Sequence, residues 1–254
     1  MIPYRPSKII VHEDSWNDEA TSEILSRLQG IPVHTTQDID SVLSGYDEYP
    51  DPRASAKRTL ILARYPGRFM KACPGSGAEI CCNYQVINLI SNCHFECSYC
   101  VLQSYLNNPS LIVYTNVEDL FNEVRDALRT NPRRFFRIGT GELADSLATD
   151  DITHFSRRLV PFFASLPNAV LELKTKSNTI SNLQHLDHRN RTIISWSVNS
   201  KRICADEELK AATLQERLEA ARQCQEWGYR IGFHFDPLIC YQGWESEVLW
   251  IPQG

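Results

Sequence analysis

Three cysteines stand within one short run, Cys93-His-Phe-Glu-Cys97-Ser-Tyr-Cys100. Their spacing reads C-x3-C-x2-C. A cubane [4Fe–4S] cluster ordinarily takes four cysteine thiolates. Three would leave one iron open, and an open iron can bind and activate a ligand, whereas a closed cluster only carries electrons. The other readings are a zinc site or inert buried thiols. Zinc usually needs four ligands, arriving as two close pairs. The nearest further thiols are Cys81 and Cys82, adjacent to each other and on the far side of an apolar run. The spacing favours the cluster.

The elements that must position these thiols follow from the flanking pattern. Gln85 to Ser91 is apolar and β-rich, and Val101 to Leu106 reads as a helix, so the cysteines occupy a strand-to-helix loop. Before them, Lys8–His12, Ile31–His34 and Thr59–Arg64 read as strands. A helix is expected over Glu19–Leu28, capped by Asp14 or Asn17, and a short one over Asp38–Leu43. Gly45 to Ala54 reads as a loop. After the cysteines, helix and strand alternate. Val117–Arg129 is amphipathic, with Val117, Leu120, Val124 and Leu128 on one face. Phe135–Gly139 is a strand, Asp150–Phe163 a helix, Ala169–Lys174 a strand, Leu183–Leu186 a short helical piece and Thr192–Val198 a strand. Leu214–Trp227 is a helix stopped by Gly228, and Tyr229–Phe235 is the last strand. Alternating units of this kind build a parallel sheet covered by helices. Ligands in such folds lie at the carboxyl ends of the strands.

Those strand ends carry polar groups. Gly139-Thr-Gly-Glu142 follows the second strand counted from Gln85, Lys174-Thr-Lys176-Ser177 the third, and Ser195-Trp-Ser197-Val-Asn199 the fourth. Period two puts Ser195, Ser197 and Asn199 on one face. His234 and Asp236 end the fifth, facing a substrate or bonded to each other in the barrel mouth.

The cysteine spacing, with Tyr99 just before the last thiol, resembles the radical S-adenosylmethionine (SAM) superfamily. Four phrases resemble its spore photoproduct lyase family: Cys81-Cys82-Asn83-Tyr84-Gln85-Val86-Ile87-Asn88, Cys97-Ser-Tyr-Cys-Val-Leu-Gln103, Arg137-Ile-Gly-Thr-Gly-Glu-Leu-Ala-Asp145 and Gly232-Phe-His-Phe-Asp-Pro237. The similarity runs from about Ile9 to Trp244. It implies an α/β fold, a partial (β/α) TIM-type barrel of radical SAM type over residues 81–254. Residues 1–80 precede it as an N-terminal α/β region. Five strands from Gln85, against about six in the family, suggest a missing last unit or a truncated chain.

The resemblance also implies cofactors and roles. Cys93, Cys97 and Cys100 would ligate a [4Fe–4S] cluster whose open iron chelates SAM, and an electron from the cluster would cleave SAM to a 5′-deoxyadenosyl radical. Glu142 would meet the SAM amino group, Lys176 its carboxylate, and Ser197 and Asn199 would add contacts. Tyr99 would pack near the adenine, and Tyr99 and Glu142 are the catalytic candidates. An electron donor such as flavodoxin or ferredoxin is implied, and damaged DNA as substrate. Two departures stand out. The lyases have Tyr after the last cysteine, here Val101. They place a hydrogen-donating cysteine where Glu142 stands, and no cysteine occurs between Cys100 and Cys204.

Composition bounds the rest. With 254 residues, 43% of them hydrophobic, the chain can bury a full core. A net charge of −5 does not indicate a bulk polyanion-binding surface. Nine unevenly clustered cysteines point to a reducing cytoplasm rather than a disulfide framework. No signal-peptide pattern or membrane-spanning apolar run is present, and a monomer is expected. Cys73, Cys81 and Cys82 read as a turn with packed thiols, or as a second metal site. Cys224 reads as a core residue. Two functional classes remain: a radical SAM enzyme on DNA photoproducts or another substrate, and an iron–sulfur binding or electron-transfer protein without SAM cleavage.

Overall fold

The computed structural model describes residues 1–74, 82–106 and 108–250, so Cys81 lies outside the described residues. In chain order the strands are β1 (Lys8–His12), β2 (Val33–Thr36), β3 (Thr59–Ala63), β4 (Met70–Ala72), β5 (Gln85–Ile87), β6 (Ile90–Ser91), β7 (Glu96–Cys97), β8 (Leu111–Tyr114), β9 (Phe136–Gly139), β10 (Ala169–Thr175), β11 (Thr192–Ser197), β12 (Glu208–Leu209) and β13 (Arg230–His234). One sheet runs β2-β1-β3-β8-β6, a second β13-β11-β10-β9-β5-β4, and β12 pairs with β7. In the second sheet β5, β9, β10, β11 and β13 are all parallel, the five strands read from the sequence, and β4 adds an antiparallel edge. This is a partial TIM-type barrel.

Strand composition explains which faces are covered. β1 and β3 are continuous apolar runs whose central residues are buried, as expected where a parallel sheet is packed on both faces. β10 alternates instead. Ala169, Leu171 and Leu173 are buried in the core, while Val170, Glu172 and Lys174 stay partly accessible on the inner face of the barrel. The helix Phe155–Ala164 packs over β10. Its Phe162 stacks on Phe121 of the helix Val117–Thr130, with ring centroids 4.1 Å apart. The helix Leu214–Glu226 starts with a capping box between Thr213 and Glu216 and is followed by Gly228 at φ +90°.

Several expectations need correction. Gln85–Ser91 is not one strand: β5 pairs with β9 in one sheet and β6 with β8 in the other, so the chain changes sheets at residues 88–89. β8 was not read from the sequence, and with β6 it extends the N-terminal sheet past residue 80. The Asp150–Phe163 helix is broken at His154, which has φ 52°. Gly45–Ala54 is not all loop. A helix runs Pro52–Lys57, because Asp51 accepts from the Ala54 N–H at 2.9 Å and proline suits the first turn. Asp18, not Asp14 or Asn17, precedes the helix Glu19–Arg27, and its carboxylate is taken by Arg64 and Thr115. The piece expected at Leu183–Leu186 is a 3-10 turn at Ser181–Leu183.

Candidate active site

The cysteine loop is held from several sides. Asn92, at φ 72°, turns the chain out of β6, and its Oδ1 accepts from the Cys93 N–H at 2.8 Å. Its own N–H donates to Leu143 O at 2.8 Å, tying the loop to the segment after β9. Cys97 lies in β7, opposite Glu208 of β12. Gln103 Nε2 donates to Cys97 O at 2.5 Å, and Lys57 Nζ to Phe95 O at 2.8 Å. Burial pushes the Cys93 and Cys97 thiols up to about 12, so both are protonated until something displaces the proton.

Cys93, Cys97 and Cys100 line one cavity of about 200 Å3, together with Tyr99, Glu142, Lys176 and Ser197. All seven are ligand candidates of the sequence, drawn from the ends of three different strands and the cysteine loop. Asn199 is not in the lining: its Nδ2 donates to Pro237 O at 3.0 Å. Glu142 accepts from Asn88 Nδ2 at 2.5 Å, which fixes the carboxylate from the β5 side. Lys176 Nζ donates to Asp236 O at 3.3 Å and lies 5.9 Å from the Tyr99 ring centre. The Tyr99 hydroxyl donates to Glu208. His234 and Asp236 do not bond to each other. His234 Nε2 meets Glu172 Oε1 at 2.9 Å, and Asp236 pairs with Lys174, which holds its carboxyl below the usual range. Cys224 is fully buried in the core, remote in role from the cavity.

Three carboxylates were missed. Asp145 is the hub of the β9–β10 end: it accepts from Leu147 N, Ala148 N, Thr175 Oγ1 and Lys176 N, all within 3.0 Å. Glu208 forms a buried pair with Arg217 at 2.5 Å, and Arg217 Nη1 donates to Ser197 O at 2.9 Å. The cavity wall at Ser197 is thus braced from behind. The available signal was Arg217 in the apolar stripe Leu214–Ala221–Cys224 of its helix, where an arginine needs a partner. Glu172 accepts from Tyr84 Oη at 2.6 Å and Ser195 Oγ at 2.6 Å as well as from His234. Burial opposes its charge, but the hydrogen bonds from Ser195, Tyr84 and His234 prevail and hold the carboxyl below its ordinary range. Gly139 makes this network possible, since a Cβ there would stand 1.9 Å from the Tyr84 hydroxyl. Tyr84, Glu172 and His234 line a neighbouring cavity of about 330 Å3, which shares Gly141, Glu142 and Lys174 with the first.

Among the described residues, no three His, Cys, Asp or Glu side chains converge on a point suitable for one metal ion. Three thiols around a cavity suit a cubane instead, where each thiolate meets its own iron. The cavity beside them offers a carboxylate and an ammonium, which complement the charged ends of an amino acid.

A family model for spore photoproduct lyase matches residues 4–251. The chain belongs to the spore photoproduct lyase family. The spore photoproduct lyase of Geobacillus sp. (strain Y412MC61) is 26% identical over 252 residues, 97% of this chain and 72% of that protein. The Bacillus subtilis (strain 168) spore photoproduct lyase is 26% identical over 161 residues, 63% of this chain and 47% of its own length. A double mutant of spore photoproduct lyase with bound AdoMet and dinucleoside spore photoproduct superposes with a TM-score of 0.86 at 22% identity, over 99% of this chain and 73% of that one. A complex of the lyase with the dinucleoside photoproduct gives 0.85 at 21% identity, over the same shares. At such identities the superposition establishes the fold. Among the described residues no helix is long and apolar enough to cross a membrane.

Proposed function

We propose that this chain is a radical SAM enzyme acting on a DNA photoproduct. The observation that carries the reading is the convergence of Cys93, Cys97 and Cys100 with Glu142, Lys176 and Ser197 on one cavity. In this reading the three thiols hold a [4Fe–4S] cluster, Glu142 takes the SAM ammonium, Lys176 its carboxylate, and Ser197 a further polar edge. When bound, cluster and SAM together supply a 5′-deoxyadenosyl radical able to abstract hydrogen. The chain's own residues do the rest. The Cys93 and Cys97 thiols give up their protons on ligation, which makes assembly pH-dependent. Tyr99, held by Glu208, walls the cavity beside the thiols. Asn88 and Asp145 keep Glu142 and the Lys176 backbone in place. The adjoining cavity with Tyr84, Glu172 and His234 provides room and polar groups for substrate.

The relatives named above include one with bound AdoMet and dinucleoside photoproduct, which supports this choice of cofactor and substrate class. An external electron donor of the flavodoxin or ferredoxin kind, a cytoplasmic location and a monomeric state belong to the same proposal. The test is anaerobic reconstitution with iron and sulfide, reduction, and detection of 5′-deoxyadenosine from SAM. A reconstituted, reducible cluster that leaves SAM intact would instead support the binding or electron-transfer reading.

A further inference from the structure

The strands of the barrel present the cysteine cavity at their carboxyl ends. Around their amino-terminal ends lies another cavity, of about 480 Å3, which shares no lining residue with it. Phe135 enters β9, Arg137 lies within β9, Arg230 opens β13, and the turn of residues 189–191 leads into β11. Four arginines (Arg137, Arg189, Arg191 and Arg230) therefore surround one opening, and no carboxylate is in its lining.

The ordinary account of surface arginines is a solvated face laced with acids. At three places in this molecule that account holds. Arg222 sits between Glu219 and Glu226, Arg158 between Glu19 and Glu118, and Arg64 between Asp18 and Asp119. At this pole it fails. Arg189 pairs with the exposed Asp187 at 2.9 Å, but Arg137, Arg191 and Arg230 have no ion pair among the described residues. Arg137 lies 5.5 Å from the Tyr84 ring centre and Arg191 lies 5.9 Å from that of Phe135. Convergent like charges raise the energy of the empty site, and an anion relieves it. The chain as a whole is acidic, at −5, so the cluster is local.

A second observation narrows the anion. Phe135 is 56% exposed at the rim, with the Arg191 guanidinium over it, and offers a flat apolar face. It belongs to the run Arg133-Arg134-Phe135-Phe136-Arg137, in which basic and aromatic residues alternate in blocks. Guanidinium forks suit phosphate oxygens, and an exposed aromatic suits an unpaired base. The volume is that of a small-molecule site, about 300–1,000 Å3.

We propose that this pole binds a nucleotide unit, its phosphate on Arg137, Arg191 and Arg230 and its base against Phe135. The unit is either a free nucleotide or part of a single strand. The site shares no residue with the cysteine cavity and does not depend on its assignment, while Arg137 also lines the cavity of Tyr84, Glu172 and His234, so the test rests on Arg191, Arg230 and Phe135.

The test uses the full chain and a labelled, undamaged oligothymidylate of about ten nucleotides, followed by fluorescence anisotropy across a salt series. Wild-type protein should bind it, with log K falling by about 0.7 per decade of salt for each phosphate neutralised. Arg191→Gln with Arg230→Gln should weaken binding at least tenfold and flatten that slope. Phe135→Ala should weaken it about fivefold or more at unchanged slope. Both arginines contribute only their backbones to the ladders, and circular dichroism checks that the variants fold. Displacement by thymidine triphosphate as effectively as by unlabelled oligonucleotide would assign the site to free nucleotides; displacement by oligonucleotide alone would assign it to a strand. Absence of binding to either probe, affinity indifferent to the arginine pair, or preference for duplex over single strand would overturn the proposal.

Discussion

Cys97 is the most tightly framed of the three thiols, buried in β7 with its carbonyl taken by Gln103. Replacing it by alanine removes a proposed iron ligand while leaving those contacts, which are made by backbone. Reconstituted Cys97→Ala should then lose the brown absorbance near 400 nm and the complement of about four irons per chain. An intact cluster in that variant would remove the assignment. Cys224→Ala offers the contrast: it lies in the core and should keep both iron and colour. Glu142→Ala should leave the cluster in place and weaken SAM binding by about 1–3 kcal/mol, the usual loss for a charge-assisted contact. Unchanged SAM affinity, measured by calorimetry on the reconstituted protein, would sink the role given to Gly139-Thr-Gly-Glu142.

At the scale of elements, the barrel wall depends on two buried polar assemblies that tie neighbouring strands and helices together. Arg217 of the helix Leu214–Glu226 neutralises Glu208 and holds Ser197 O at the end of β11. Arg217→Ala would strand a buried carboxylate, and a loss of about 3–5 kcal/mol in denaturant unfolding is expected. Glu172 links β10 to β11, β13 and Tyr84. Its folded-state carboxyl titrates below the ordinary 4.5, so the unfolded chain binds its proton first as pH falls. The stabilisation is full above pH 4.5 and is lost as pH drops below it. Glu172→Gln should remove that part of the acid dependence, and an unaltered slope of melting temperature against pH would contradict it. These assemblies also show what was legible in the sequence. The strands β1 and β3 are legible as continuous apolar runs, β10 by its period of two and the helix Val117–Thr130 by its period of 3.6. The converging strand ends then followed from the rule for parallel sheets. The split of Gln85–Ser91 did not, because Ile90 is claimed by Val113, a partner that local pattern cannot reveal. Glu172 reads as one more polar member of an alternating strand, and Glu208 as one of several acids in a row. Only the fold shows what they face.

For the whole molecule, the question is how a reaction begun by hydrogen abstraction is brought to an end. A lyase must return a hydrogen atom to its product radical, and a thiol does so readily because its S–H bond is weak. Where the family resemblance places that thiol, this chain has Glu142, hydrogen-bonded to Asn88. A carboxyl O–H is far too strong to serve, and Val101, exposed beside the cysteine loop, has no transferable hydrogen of this kind. The protein should therefore convert spore photoproduct slowly, accumulating 5′-deoxyadenosine and forming adducts, or favour a substrate whose reaction ends by returning hydrogen to 5′-deoxyadenosine. The fold adds one control that sequence order conceals: Cys73 lines the cavity that also contains Glu142 and Glu172. Pure dinucleoside photoproduct is supplied to the reduced, reconstituted protein with SAM, in parallel for wild type and Cys73→Ala. Slow, uncoupled turnover by both fits the absence of a donor. Fast, clean conversion to thymines by wild type, with SAM used catalytically, would refute that expectation. Loss of such coupling in Cys73→Ala would then place the donor on β4's side of the barrel, and its persistence would show that closing the reaction here needs no thiol from that segment.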